Sequence, residues 1–265
     1  MSKLNDAIVE IEHLSEMAQK DQWINLTHPL VKLSTTIFYI LMVVSFSKYN
    51  ISELLSMSIY PLIIFIMGDL SFKEALYRLR IVLPFVCIVG IFNPFFDKEL
   101  CFYIGSIPIT SGIISMFSLM IKGILTVLAS YILIATTTIE KICYALRLIH
   151  VPKMMVTQLL LIYRYIILLL TEAKRISQAY SLRAPSQKGI HFSAWGSLVG
   201  QLLLRSMDRA DDVYESMCLR GYNGEFDYGY TSRINMNDIV YLVWIFVFII
   251  FRLFPVFNMI GGLFL

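Results

Sequence analysis

Arg220 stands between Leu219 and Gly221 at the end of one long helical stretch, and Arg183 stands between Leu182 and Ala184 at the end of another. A guanidinium at the C-terminal end of a helix carries the charge that this end favours. The acids Asp208, Asp211, Asp212 and Glu215 could suggest a hydrolytic or metal cluster, but Arg205 precedes Asp208 by three and Arg209 precedes Asp212 by three. This spacing predicts a solvated, ion-paired helix face. The sequence contains no G-x-x-x-x-G-K-[ST], no H-E-x-x-H and no G-x-S-x-G, so neither ATP hydrolysis nor other catalysis is expected of it. Gly221, Gly224 and Gly229 follow no strand and read as turn residues. The cysteines (Cys87, Cys101, Cys143, Cys218) and histidines (His13, His28, His150, His191) are scattered, with no spacing that predicts a disulfide framework or a metal site.

The elements that carry the two arginines follow from periodicity. Trp195, Val199, Leu202, Ser206, Ala210, Val213 and Met217 recur at steps of three and four, which predicts an amphipathic helix from Phe192 to Leu219. Gly221 can adopt the left-handed conformation that ends a helix, which puts Arg220 in the last turn, where a cation is favoured. The stretch is 28 residues long. At ~1.5 Å per residue it would span roughly 42 Å. A second long helix is expected from Lys153 to Leu182, closed by Pro185, with charge rising toward Arg183 through Glu172, Lys174 and Arg175. Thr136, Thr137 and Thr138 offer caps for a short helix reaching about Leu148, and Pro152 resets the chain.

The remainder is built for lipid. The 265 residues are 57% hydrophobic and 15% charged, with 18 Phe and 15 Tyr, outside the soluble norm. Apolar runs at about 30–46, 51–68, 81–96, 109–135, 154–171 and 236–254 approach the ~20 residues a crossing needs. Positive charge concentrates in cytoplasmic loops. Lys73, Arg78 and Arg80 occupy 69–80, whereas the turns near 47–53 and 97–108 hold only Lys48 and Lys98, and 136–235 holds twelve Lys and Arg. Both ends of 154–171 are therefore expected in the cytoplasm, so that this run does not cross. Five crossings remain, with the N-terminus inside and the C-terminus outside. Residues 1–20 lack the basic start and apolar centre of a signal peptide; Leu4, Ile8, Ile11, Leu14 and Met17 or Ala18 form an amphipathic stripe instead. Lys122, within 109–135, marks a functional site, or that run begins as an interfacial segment, or the lysine faces the bundle. The expected organisation is an interfacial segment (1–29), a four-helix transmembrane region (30–135), a cytoplasmic helical region (136–235) and a C-terminal transmembrane helix with its tail (236–265). The fold class is an all-α integral membrane protein of about five transmembrane helices, with a cytoplasmic unit of one short and two long crossed helices.

Two Leu-Arg helix ends in this order, with LLLRSMDRADDVYESMCLRGYNG leading to and past the second, resemble the T component of energy-coupling factor (ECF) transporters, the CbiQ/EcfT family, and most of all the cobalt-type permease CbiQ. The family's motif is Ala-Arg-Gly. Leu219-Arg220-Gly221 departs from it at the first position, and Leu182-Arg183-Ala184 at both flanks. The resemblance implies two coupling helices whose ends, Leu182, Arg183 and Ala184 on one and Leu219, Arg220 and Gly221 on the other, dock on two ATP-binding cassette ATPase subunits. ATP and Mg would bind those subunits, leaving this chain without a cofactor. A CbiM-like substrate-binding membrane subunit, with a small CbiN-like subunit as an option, would complete a complex that imports cobalt or nickel across the cell membrane. No nucleic acid is involved. Two other readings are a vitamin-type T component and a self-sufficient secondary transporter or channel. The latter would need ionisable groups or broken helices near the midplane, where acids are nearly absent.

Overall fold

A computed structural model describes residues 2–20, 22–48, 51–96, 100–104, 107–185, 187, 189–224 and 236–253. The chain folds as an all-α membrane protein carrying one small β-hairpin. Its contacts divide it into two compact units, residues 18–138 with 232–265, and residues 1–17 with 139–231. In the first unit lie α2 (Pro29–Ser45), α3 (Ile51–Ser56), α4 (Ile59–Met67), α5 (Phe72–Phe96), β1 (Leu100–Ile104), β2 (Ile107–Thr110), α6 (Ser111–Thr136) and α10 (Met236–Leu253). The second holds nearly all of α1 (Ser2–Gln19), then α7 (Ile139–Leu148), α8 (Lys153–Arg183) and α9 (Phe192–Leu219). Phe72–Pro94, Ser111–Thr136 and Lys153–Arg183 are each long and apolar enough to cross a membrane, and Pro29–Ser45 and Ile51–Met67 are shorter apolar stretches.

Within the first unit α5 packs along α6, and α2 lies against both α6 and α10. Small residues permit the closest approach: a Cβ on Gly90 would come within 3.1 Å of Met116, and one on Gly123 within 3.0 Å of Val86. The core is aromatic. Phe248 of α10 meets Tyr39 and Tyr60, each at 5.1 Å between ring centroids, and Tyr39 meets Tyr60 at 4.9 Å.

Three local features differ from expectation. The apolar run at 51–68 is two helices, broken at Met57 and Ser58. Pro61 has no N–H to offer the Met57 carbonyl four residues earlier. The Tyr39 hydroxyl donates to that carbonyl instead, at 2.9 Å, so this acceptor is not stranded in the apolar interior. Helix α5 begins nine residues before the run at 81–96, because Lys73, Arg78 and Arg80 are themselves helical. Arg78 lies 3.9 Å from Glu74 one turn away and stacks over the Tyr131 ring at 4.6 Å, while the Tyr131 hydroxyl donates to Glu74 at 3.2 Å. The third is the antiparallel hairpin β1–β2, in a region expected to be a plain loop. Lys98, Gly229 and Arg233 lie outside the described residues.

Lys122 faces the bundle. Its ammonium donates to the Val44 and Phe46 carbonyls at the C-terminal end of α2. Arg252 stacks over the Phe46 ring at 5.0 Å and reaches the Ser45 carbonyl at 3.5 Å. Two cations thus serve the negative end of one helix dipole.

Candidate docking site at the ends of the two long helices

Helix α9 spans Phe192–Leu219, as its period of three and four predicts. The His191 imidazole Nδ1 caps its start, accepting from the Ser193 N–H at 3.3 Å. Its other end closes through Gly221, at φ +82°, whose N–H donates to the Cys218 carbonyl while the Tyr222 N–H donates to that of Met217, both at 3.0 Å. This is a Schellman closure: the left-handed residue costs glycine little, and the last carbonyls are satisfied by the chain itself. Arg220 therefore sits at a stiff corner with its side chain exposed, beside Leu219, which is 90% exposed.

The end of α8 is built differently. Ala184 closes it by donating to the Tyr180 carbonyl at 3.0 Å, with Pro185 next. Tyr180 then secures the connector, its hydroxyl donating to Gln187 Oε1 at 2.8 Å and accepting from the His191 N–H at 3.4 Å. Arg183 and Leu182 are exposed and Ala184 is partly covered.

The two helices run antiparallel. Glu172 of α8 accepts from Arg205 of α9 and lies 3.7 Å from Arg175 on its own helix. Arg205 thus bridges to α8 rather than pairing with Asp208 along α9, because Glu172 lies on the facing helix. Nor do Arg209 and Asp212 form a close ion pair among the described residues; both line an open groove of about 810 Å³ between α8 and α9. The groove also contains Arg164, Tyr165, Arg220 and Tyr222. Arg220 is thereby placed beside the middle of α8, whereas Arg183 lies 19 residues beyond Arg164 on that helix. At ~1.5 Å per residue this is roughly 28 Å. The structure does not bring the two arginines together.

Both long helices carry uncovered apolar surface: Met154, Met155 and Ile162 on α8, and Trp195, Leu203, Leu204 and Met207 on α9, are each at least half exposed. Among the described residues no group of three or more His, Cys, Asp or Glu could hold a metal ion. Three histidines instead shape helix ends. His28 Nδ1 accepts from the Leu30 N–H at the start of α2, His191 caps α9, and His150 takes the left-handed position, φ +67°, closing α7.

The cysteines give a direct check on this unit. Cys218 is exposed next to Leu219, whereas Cys143 of α7 is buried, and burial with the nearby Glu140 charge pushes its thiol above the ordinary range. With single-cysteine variants in detergent at neutral pH, Cys218 should react with a maleimide about tenfold faster than Cys143 or more, since the thiolate is the nucleophile. Raising the pH should quicken Cys143, as its thiolate forms only there. Equal rates at the two positions would contradict the placement of both.

Apolar helices packed through glycine and an aromatic core, joined to a second unit whose two longest helices end in exposed arginines, define a helical integral membrane protein built to engage partners. The chain belongs to the CbiQ family, described as cobalt transport protein, whose match covers residues 20–229. It is thereby a permease, the T component of an ECF-type transporter, a class that works in a membrane complex with ATPase and substrate-binding components. It is similar to two proteins of Methanocaldococcus jannaschii. One, the uncharacterized protein MJ1571, is 26% identical over 264 residues, covering 92% of this chain and 89% of the relative. The other, the uncharacterized protein MJ1089, is 27% identical over 137 residues, covering 51% and 49%.

Proposed function

We propose that this chain is the coupling subunit of a cobalt importer, with nickel as the alternative cargo, and that it transmits movement of two ATP-binding cassette ATPases to a CbiM-like membrane subunit that binds the ion. The observation that carries this reading is the exposed Arg220 on its Schellman corner at the end of a 28-residue helix. A long helix whose Met217 and Cys218 carbonyls are satisfied by the chain passes displacement along its axis, and its arginine is left for a carboxylate or carbonyls of an ATPase. Arg183 would do the same for the other ATPase, since the antiparallel run of α8 and α9 puts the two ends too far apart for one groove. In this reading α8 does not cross the membrane in spite of its length and apolar surface, and the uncovered faces of α8 and α9 meet the substrate-binding subunit. The chain would be non-catalytic, with ATP and Mg held by the ATPases, its N-terminus in the cytoplasm and its C-terminus outside.

Selectivity for the ion would then reside in the partner. Imidazoles are common ligands for such ions, but here three of the four serve at helix ends and His13 lies within α1. Replacing His13 and His150 by Gln, and His28 and His191 by Asn to preserve the cap acceptors, should leave uptake of radioactive cobalt against competing nickel unchanged in the assembled transporter. An altered preference would move ion recognition into this chain. Failure of the unaltered complex to accumulate cobalt or nickel would favour the vitamin-type reading.

A further inference from the structure

The chain passes between its two units at 17/18, 138/139 and 231/232. In the unit that holds α2, polar contacts lie near each passage, and those near the second and third are buried against the start of α2. Two residues before the second passage, the Thr136 carbonyl at the end of α6 accepts from the Lys32 ammonium at 2.9 Å. Beyond the third, in the first turn of α10, Asp238 accepts from the His28 N–H at 2.6 Å. After the first, Asn25 donates to the Lys20 carbonyl at 2.8 Å, and the Thr27 hydroxyl donates to the Ile24 carbonyl. Lys32 is 2% exposed and Asp238 is not exposed at all. Removing charge from water is costly, and each contact recovers part of that by meeting a helix end of opposite sign: the carboxylate at the N-terminus of α2, the ammonium at the C-terminus of α6.

If apolar packing were the only requirement, methionine and leucine would fill these places without that cost. The buried charges bring directionality: an ion bound to a helix end fixes the axial position of that helix, where greasy contacts permit sliding. We infer that Lys32 and Asp238 are positioning residues for transport, which clamp the ends of α6 and α10 to the first turn of α2 so that displacement arriving through the connecting segments moves the membrane helices as a body. This rests on the coupling reading above. Neither residue touches the cargo or an ATPase; both act through the helices they hold.

The test uses the whole transporter, ATPases and substrate-binding subunit included, in phosphatidylethanolamine–phosphatidylglycerol vesicles, with radioactive Co²⁺ uptake and ATP hydrolysis measured per assembled complex. Lys32→Met and Asp238→Leu should lower the cobalt taken up per ATP hydrolysed by about tenfold, within the span typical of coupling between sites, while hydrolysis stays near normal. Lys32→Arg, which retains a cationic donor, should restore much of the ratio. Because either breaking variant can reduce assembly, a second change leaves the clamp intact: two glycines inserted between Thr137 and Thr138 should lower the ratio similarly by slackening the path from Thr136 into α7. Uptake and hydrolysis falling in step, or a ratio unchanged by the insertion, would overturn the inference. Uptake by the unaltered complex that does not depend on this chain would instead overturn the coupling reading itself, and the clamp with it.

Discussion

Arg220→Glu is expected to weaken capture of the ATPase subunits strongly, leaving only the hold at Arg183, while the fold of the chain stays nearly intact. Arg220 is exposed, and the closure beneath it is made by backbone groups of Gly221 and Tyr222, so the substitution leaves every described contact of the helix end in place. Surface changes of that kind usually fall within about 0.5 kcal/mol. Docking is another matter. Truncating one partner of a desolvated charge pair costs roughly 2–5 kcal/mol, or about 30-fold in affinity at the lower bound. Reversal adds repulsion from the carboxylate that the guanidinium would have met. The groove worsens the outcome, since Arg164 and Arg209 line it with Arg220 and offer a glutamate partners within the chain itself. Recovery of the ATPases by affinity pull-down from detergent extract measures this. Undiminished recovery with normal uptake would remove Arg220 from docking.

The largest loss of stability is expected from Phe248→Ala. Phe248 is 1% exposed, and its ring contacts Tyr39, Tyr60 and Trp244. In lipid the solvent outside is as apolar as the interior, so transfer contributes little, and what is lost is dispersion contact plus the cavity left behind. Cavity-forming substitutions of this size cost about 3–5 kcal/mol in soluble proteins; without most of the transfer part, roughly 2–3 kcal/mol should remain. The neighbouring Phe246 is 69% exposed and makes a fitting control. Thermal unfolding of the purified chain in detergent should show a marked fall for Phe248→Ala and little change for Phe246→Ala. Equal shifts would refute the aromatic core as described.

The long helices were legible because their signals are local. A period of three to four, a glycine after the last turn and a proline beyond Arg183 mark α8 and α9 closely, and the left-handed Gly221 follows from the same reasoning. Long-range pairing was not. Nothing along the sequence links Arg205 to Glu172, 33 residues earlier, so the nearer Asp208 looked the natural partner. The break in the run at 51–68 had a visible cause in Pro61, masked by the uniform hydrophobicity around it. Charge misled in the opposite sense at Lys73, Arg78 and Arg80: a basic cluster suits a loop, yet a helix can begin in polar surroundings and continue into an apolar span. Lys32 and Asp238 sat at the margins of expected spans, where charge normally meets water, and only tertiary structure shows them enclosed. The histidines appeared idle because capping depends on backbone conformation on either side of a residue, not on spacing between like side chains.

The Tyr39 hydroxyl that completes the interruption between α3 and α4 also bears on how the chain is made. Synthesis delivers Tyr39 before Met57, eighteen positions earlier, so the donor is already available when the orphan carbonyl and Pro61 emerge. Entering lipid without it, the α3–α4 segment would expose an acceptor that hydrocarbon cannot satisfy. That segment therefore becomes a comfortable membrane resident only once α2 stands beside it, which gives biogenesis an order: α2 is the template, and the broken helix is inserted against it as a hairpin rather than alone.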